Sequence, residues 1–337
     1  MSPTPTAGCG PVRLRRAAIP LLVGILVLAL AGTAVAWWRG WLIRGFVEYR
    51  MPVSQDIPTA IAVAPDGTVW FTIEFADAIG RIRNGVVERI PKGQLNVEPM
   101  GLAVAVDGAV WFTDNPARAV VRLGPDGTTT PYHVATPVAR LVRLAVGPDG
   151  SVWVADGTSF GITRLKDGVF TSFVAPTYRA SPFGVAVSAD GTVWATLSSA
   201  SKLARITPDG VITELEIPTR ASNPSDVAVD RTGAVWFLEF RANKIGRYAD
   251  GRFTEFPVST PRAGLSGIAV APDGAVWFAM VRAHRLGRVR DGVVREFRLP
   301  RADARPFSVA VDSQGNVWYT DLGGYVGRLS AARATAG

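Results

Sequence analysis

The sequence predicts an all-β fold, a seven-bladed β-propeller preceded by an N-terminal transmembrane helix. Three observations carry that prediction. Trp70, Trp111, Trp153, Trp194, Trp236, Trp277 and Trp318 lie 41, 42, 41, 42, 41 and 41 residues apart. A glycine turn stands just ahead of each tryptophan, among short apolar runs of the kind that form a sheet too small to bury its own faces. One uncharged apolar run, Ala17 to Trp38, precedes the first copy.

Taken in order, residues 1–16 read as a cytoplasmic tail, 17–38 as a transmembrane signal-anchor and 39–44 as a linker. The 22 residues of the apolar run suffice to cross a hydrocarbon core at about 1.5 Å per residue. Arg13, Arg15 and Arg16 precede it, and Trp37, Trp38 and Trp41 follow with Arg39 and Arg44, a grouping suited to the headgroup region. The basic N-terminus favours that end in the cytoplasm and the ring on the periplasmic or extracellular side. Ala34-Val35-Ala36 also fits a small-x-small cleavage site, so the competing reading is a secreted ring released near Ala36. The length of the run and its aromatic flank favour the anchor.

Residues 45–329 read as the ring and 330–337 as a C-terminal tail. Each copy supplies an inner strand of small residues, such as Gly184-Val185-Ala186-Val187, then a turn such as Asp66-Gly67, where glycine takes the positive φ of a tight hairpin. Thr232-Gly233 and Gln314-Gly315 keep the glycine and lose the acid. The second strand carries the tryptophan and the third an Ile79-Gly80-Arg81-Ile82 type run; Phe253-Thr254-Glu255-Phe256 exemplifies the outer strand. The last copy has no outer strand of its own, and Gly45-Phe46-Val47-Glu48-Tyr49 has the pattern to supply it, which would remove the open sheet edges of an unclosed ring.

Composition excludes several function classes. The only cysteine of the 337 residues is Cys9, ahead of the apolar run, so no intramolecular disulfide and no cysteine metal site can form. The net charge of +8 raises nucleic-acid binding. However, Arg81, Arg122, Arg164, Arg205, Arg247, Arg288 and Arg328 occupy one slot of successive copies and are spread around the ring, without the basic stripe a nucleic acid needs. A tryptophan and an arginine present in every copy point to packing between blades.

Function must therefore lie where the copies differ, in the loops at one mouth of the channel. Thr59, Met100, Val142, Phe183, Ser225, Ser266 and Phe307 occupy the slot just before each inner strand, a mostly apolar ring suited to a small molecule or peptide. Glu74, Asp114, Asp156, Glu239 and Asp321 follow the tryptophan strands, with Leu197 and Met280 in the other two copies. Five carboxylates there could hold a cation, with Asp114, Asp156 and Asp321 the metal candidates, or could bind a cationic or amphipathic ligand. Carboxylates at loop ends are common and no ligand spacing within one segment reinforces a metal, which favours their solvating loop tips or pairing with Arg140, Arg143 or Arg305. His284 and Asp321 are the catalytic candidates, and His133 lies near the periphery; neither histidine sits in a metal or nucleophile motif. An envelope protein engaging the rim is a further partner class.

The order Asp-Gly-x-Val-Trp-Phe-Thr, Asn243-Lys244-Ile245-Gly246-Arg247 and Thr254-Glu255-Phe256-Pro257 resembles the virginiamycin B lyase (streptogramin lyase) family over residues 45–329. The resemblance implies a seven-bladed propeller that opens cyclic depsipeptides by metal-assisted elimination, with a histidine base and magnesium held by two glutamates. At the position implied for the base, after a Glu-Pro pair, this chain has Arg305-Pro306-Phe307. The second metal glutamate falls at Leu322 beside Asp321, a substrate-contacting histidine at Ser266 and a first-blade tyrosine at Thr59; Glu98-Pro99-Met100 keeps the Glu-Pro pair without a histidine. Phenylalanine takes no proton and arginine repels a divalent ion, so these residues favour a ligand-binding ring, with a lyase of rearranged metal site as the alternative.

Overall fold

The computed structural model describes residues 45–92, 99–135, 139–158 and 160–335. The expected tail, anchor, linker and cleavage site at Ala36, and likewise Glu98, lie outside the described residues. Among the described residues no helix is long and apolar enough to cross a membrane.

Seven antiparallel sheets of four strands each form the ring. Blade one runs outward through Ile57–Val63, Val69–Glu74, Ala78–Arg83 and Val86–Pro91, and the other blades repeat this order. Blade seven takes its outer strand from the N-terminal end of the ring: Phe46–Arg50 pairs with Tyr325–Leu329 in the register Phe46↔Leu329 to Arg50↔Tyr325. Strand polarity gives the ring two ends. The glycine hairpins form a turn face, and the loops joining second to third strands and blade to blade form a loop face. Phe46, opposite Leu329, starts at the turn face.

The core lies between sheets. Trp153 of blade three packs with Val185, Val193 and Ala195 of blade four, and Trp318 of blade seven with Ile61, Val69 and Phe71 of blade one, which closes the ring. Each tryptophan faces an arginine across the strand pair, as in Trp70↔Arg81 and Trp236↔Arg247. In six blades the guanidinium sits 5.4 to 6.0 Å above the indole. Arg122 instead donates to Asp107 at 2.7 Å.

The third-strand glycines are fixed by an aromatic neighbour. Gly80, Gly246, Gly287 and Gly327 oppose Phe71, Phe237, Phe278 and Tyr319, and a Cβ on any of these glycines would fall about 2 Å from the ring. Where the second strand has the smaller Val154 or Ala195, the partner is no longer held to glycine and is Thr163 or Ala204. Blade two pairs Phe112 with Val121, and nothing in the structure explains how it accommodates both.

Two sequence expectations change. The turns of blades five and seven have not lost their acid; it has moved two residues upstream. Asp230 Oδ1 accepts from the N–H groups of Thr232 and Ala234, and its Oδ2 from the Trp236 indole at 2.9 Å; Asp312 does the same for Gln314, Asn316 and Trp318. The C-terminal residues are more than a tail, since Ala331–Thr335 form a short helix whose buried Ala334 carbonyl accepts from Arg288.

Candidate functional site

The loop face gathers both predicted rings. Inner-ring residues lie within the strands and not ahead of them: Thr59 is third in Ile57–Val63, and Phe183, Ser225, Ser266 and Phe307 are second in theirs. Only Met100 precedes its strand, Leu102–Val104. Pairing shifts register just here, as between Pro306 and Val309, and such a bulge re-aims the side chains it contains. Thr59 is buried and donates to Pro99 O at 3.0 Å, tying blade one to blade two, and Ser225 donates to Leu265 O at 3.3 Å. Ser266 is buried with its Oγ unpartnered, while Met100, Phe183 and Phe307 stay half-buried.

The carboxylates do not form an exposed acidic rim. They end the second strands, where the sheet edge covers them, and four of the five are buried. Asp114 accepts from Lys92 Nζ at 2.7 Å and Ala117 N at 3.2 Å. Asp156 accepts from the backbone N–H of Arg140 and Thr158 at 3.1 and 3.0 Å. Asp321 accepts from Arg301 Nη2 at 2.6 Å, Gly323 N at 2.7 Å and Arg305 N at 3.0 Å. Arg140 and Arg305 thus pair through their main chains. Glu74 is half-buried at the end of Val69–Glu74. Glu239 is 0% exposed and neither carboxylate oxygen meets a hydrogen-bond donor. Burial, and then the nearby Glu255, push its pKa up to about 7 against the pull of Lys244.

On the loops of blades three to seven the exposed charge is basic instead, while Asp77 on blade one and Glu216 at the end of a blade-four strand stand exposed and paired with Arg89 and Lys202 at 3.0 Å each. Arg179, Arg220, Arg241, Arg262, Arg282 and Arg305 stand exposed on the loops of blades three to seven. Among the described residues those loops expose one carboxylate, Asp303, which pairs with Arg301 at 3.0 Å.

Sequence reasoning missed the pair at the channel neck. The residue after each inner-ring position is Ala60, Gly101, Arg143, Gly184, Asp226, Gly267 or Ser308. Two opposite charges in a slot otherwise reserved for small residues were the available signal. Arg143, 8% exposed, donates to Met100 O of blade two at 3.0 Å, lies 3.4 Å from Asp226 of blade five, and sits 5.8 Å from the Phe307 ring of blade seven. One side chain therefore spans the ring. Burial raises the Asp226 pKa, with Arg143 and two backbone N–H groups lowering it.

His284 takes the left-handed turn slot of blade six, with φ 56°, and its Nδ1–H donates to Ala304 O at 2.6 Å. His133 ends an outer strand, exposed, with Nδ1 3.1 Å from Ala117 O. Neither lies in the neck. The residues present do not fit the magnesium site that the resemblance implies. Asp321 commits both oxygens to Arg301, Gly323 and Arg305, Leu322 offers no donor, and Arg305 is a cation. Among the described residues no three His, Cys, Asp or Glu side chains group as metal ligands.

The virginiamycin B lyase family model matches residues 85–336. Among solved structures, a streptogramin B lyase is 27% identical with a TM-score of 0.80, over 84% of this chain and 96% of its own. A catalytically inactive virginiamycin B lyase from Staphylococcus aureus, with quinupristin, is 28% identical with a TM-score of 0.81, over 85% of this chain and 98% of its own. YCF48 from Cyanidioschyzon merolae, 15% identical with a TM-score of 0.65, shares the fold alone. No curated protein sequence matches. With the family match running from the outer strand of blade one to the C-terminal helix, and seven blades closed in one ring, this chain belongs to the virginiamycin B lyase family.

Proposed function

We propose that this chain is a membrane-anchored, extracytoplasmic propeller that binds a small molecule or peptide at its loop-face mouth, and that it does not open streptogramins. The observation that carries the reading is Phe307. At the position implied for the catalytic base stands an aromatic ring, half-buried beside the Arg143 guanidinium. A ring without a basic atom can pack against a ligand but cannot take its proton. Support also comes from Asp321, whose oxygens are committed to protein donors. The anchor reading rests on the apolar run 17–38, and Phe46 enters the ring at the face opposite the mouth.

The test is incubation of the full chain with quinupristin and magnesium, with the linearised product followed by chromatography and binding by calorimetry. We expect no linear product, and any binding measured should fall in Phe307→Ala. Ring opening that disappears in Asp321→Asn or His284→Ala would overturn the reading in favour of a lyase with a rearranged site.

A further inference from the structure

The neck of the channel is narrow enough that one side chain of blade three, Arg143, touches groups of blades two, five and seven. Into this neck Arg143 projects a buried guanidinium that is only partly satisfied. Nη1 has its acceptor in Met100 O, but Nε and Nη2 hydrogen-bond to nothing. Asp226 supplies countercharge at 3.4 Å without a hydrogen bond to the fork. A guanidinium offers five N–H donors in a plane, and leaving buried ones unmet is unfavourable, so the Nε–Nη2 edge is poised for an acceptor that comes closer than Asp226 does.

We propose that the mouth takes an amphipathic carboxylate, a single carboxylate on an apolar body, with the carboxylate on the Nε–Nη2 edge of Arg143 and the body against Phe307. The inference rests on the reading of the mouth as a binding site and names its ligand class. The exposed arginines of blades three to seven set a positive field around the entrance, which concentrates anions and repels cations. The apolar slot that holds Phe307, and in other blades Phe183 and Met100, suits hydrocarbon. A phosphate dianion would lose more hydration there than a carboxylate, and a nucleic-acid strand is too wide for a neck this tight. Asp226 competes with the ligand for the same guanidinium, so it limits affinity.

The experiment titrates the full chain with phenylacetate, its neutral isostere phenylacetamide, the cation phenethylammonium and the dianion phenyl phosphate, by saturation-transfer NMR and thermal shift. Phenylacetate should bind at least about tenfold more tightly than the amide, the factor a charge-assisted hydrogen bond carries. Arg143→Lys keeps the charge, removes the fork and should weaken phenylacetate by a similar factor. Asp226→Asn removes the competitor and should tighten it, which keeps the inference open to test if the lysine variant folds poorly. Equal binding of acid and amide, or phenylacetate affinity unchanged in both variants, overturns the inference. Tighter phenyl phosphate overturns the carboxylate assignment. Phenethylammonium binding lost in Phe307→Ala keeps the mouth as a site and overturns only its ligand class. No phenylacetate binding overturns the inference outright and leaves the binding reading to the quinupristin test.

Discussion

Asp321 and Glu239 occupy the same slot, the last residue of the second strand, in blades seven and five, and their surroundings are opposites. Around Asp321 every acceptor is used. Arg301 reaches from Asp321 to Glu48 Oε2 at 3.2 Å on the N-terminal strand, and the Tyr319 hydroxyl donates to Glu48 Oε1 at 3.0 Å. Around Glu239 no donor arrives. Lys244, its cross-strand neighbour, is drawn away to Glu255 at 2.6 Å and Thr219 at 2.8 Å, and buried Ser222, whose carbonyl accepts from Arg241 N at 3.0 Å, also keeps an unpartnered Oγ. The difference follows the chain. Blade seven joins two ends of the ring without a covalent link, so polar groups there hold the seam, whereas blade five is one continuous hairpin run that tolerates an unmet carboxylate.

The largest effect should come from removing the seam. Deleting residues 45–51 strips Phe46 and Met51 from the core, Tyr49 from its stack on Trp318 at 5.8 Å, and Glu48 from Arg301 and Tyr319. Burial of three such side chains alone is worth about 5 kcal/mol or more, so the ring should lose most of its stability in a denaturant titration. An unchanged melting temperature would mean that the ring holds without its closing strand. Next, Asp321→Ala leaves Arg301 half-buried with one partner fewer and the Arg305 N–H without its acceptor. A loss of about 3 kcal/mol is expected, as for breaking one partner of a buried pair. A loss no larger than that of an exposed carboxylate would dissolve the contrast with blade five.

How much of this was legible follows the same division. Trp70, Gly67 and Arg81 repeat because each blade needs the same packing, so the ring and the origin of its last strand could be read from spacing. Glu239 and Asp321 also look alike in sequence, since each ends a Trp strand. What separates them is the destination of Lys244 and Arg301, side chains from neighbouring strands and loops whose reach no linear pattern encodes. Arg143 and Asp226 lie 83 residues apart and meet only because the inner strands of blades three and five, one blade apart, both line the neck. In sequence the carboxylates stand after the Trp strands, where a loop tip and a cation site read alike; the strands extend one residue further and bury Asp114, Asp156 and Asp321.

The smallest effect is also the one with the opposite sign. Glu239 titrates at about 7 in the ring against 4.5 in an ordinary chain, because burial and Glu255 disfavour its charge. The folded state therefore binds this proton more tightly than the unfolded state. Below the ordinary value both states hold the proton and the site costs nothing. Between the two values the unfolded chain ionises while the ring resists, so stability falls as pH rises, and above about 7 the full cost of a buried charge is carried. Glu239→Gln keeps the shape of the protonated acid and cannot ionise. It should match the parent near pH 4 and exceed it near pH 8 by about 2 kcal/mol, the shift at about 1.4 kcal/mol per unit reduced for relaxation of the site. Urea titrations of both proteins at the two pH values read this directly. A Gln variant less stable than the parent near pH 8 would show that the carboxylate has donors after all, and blade five would then be a second seam like blade seven.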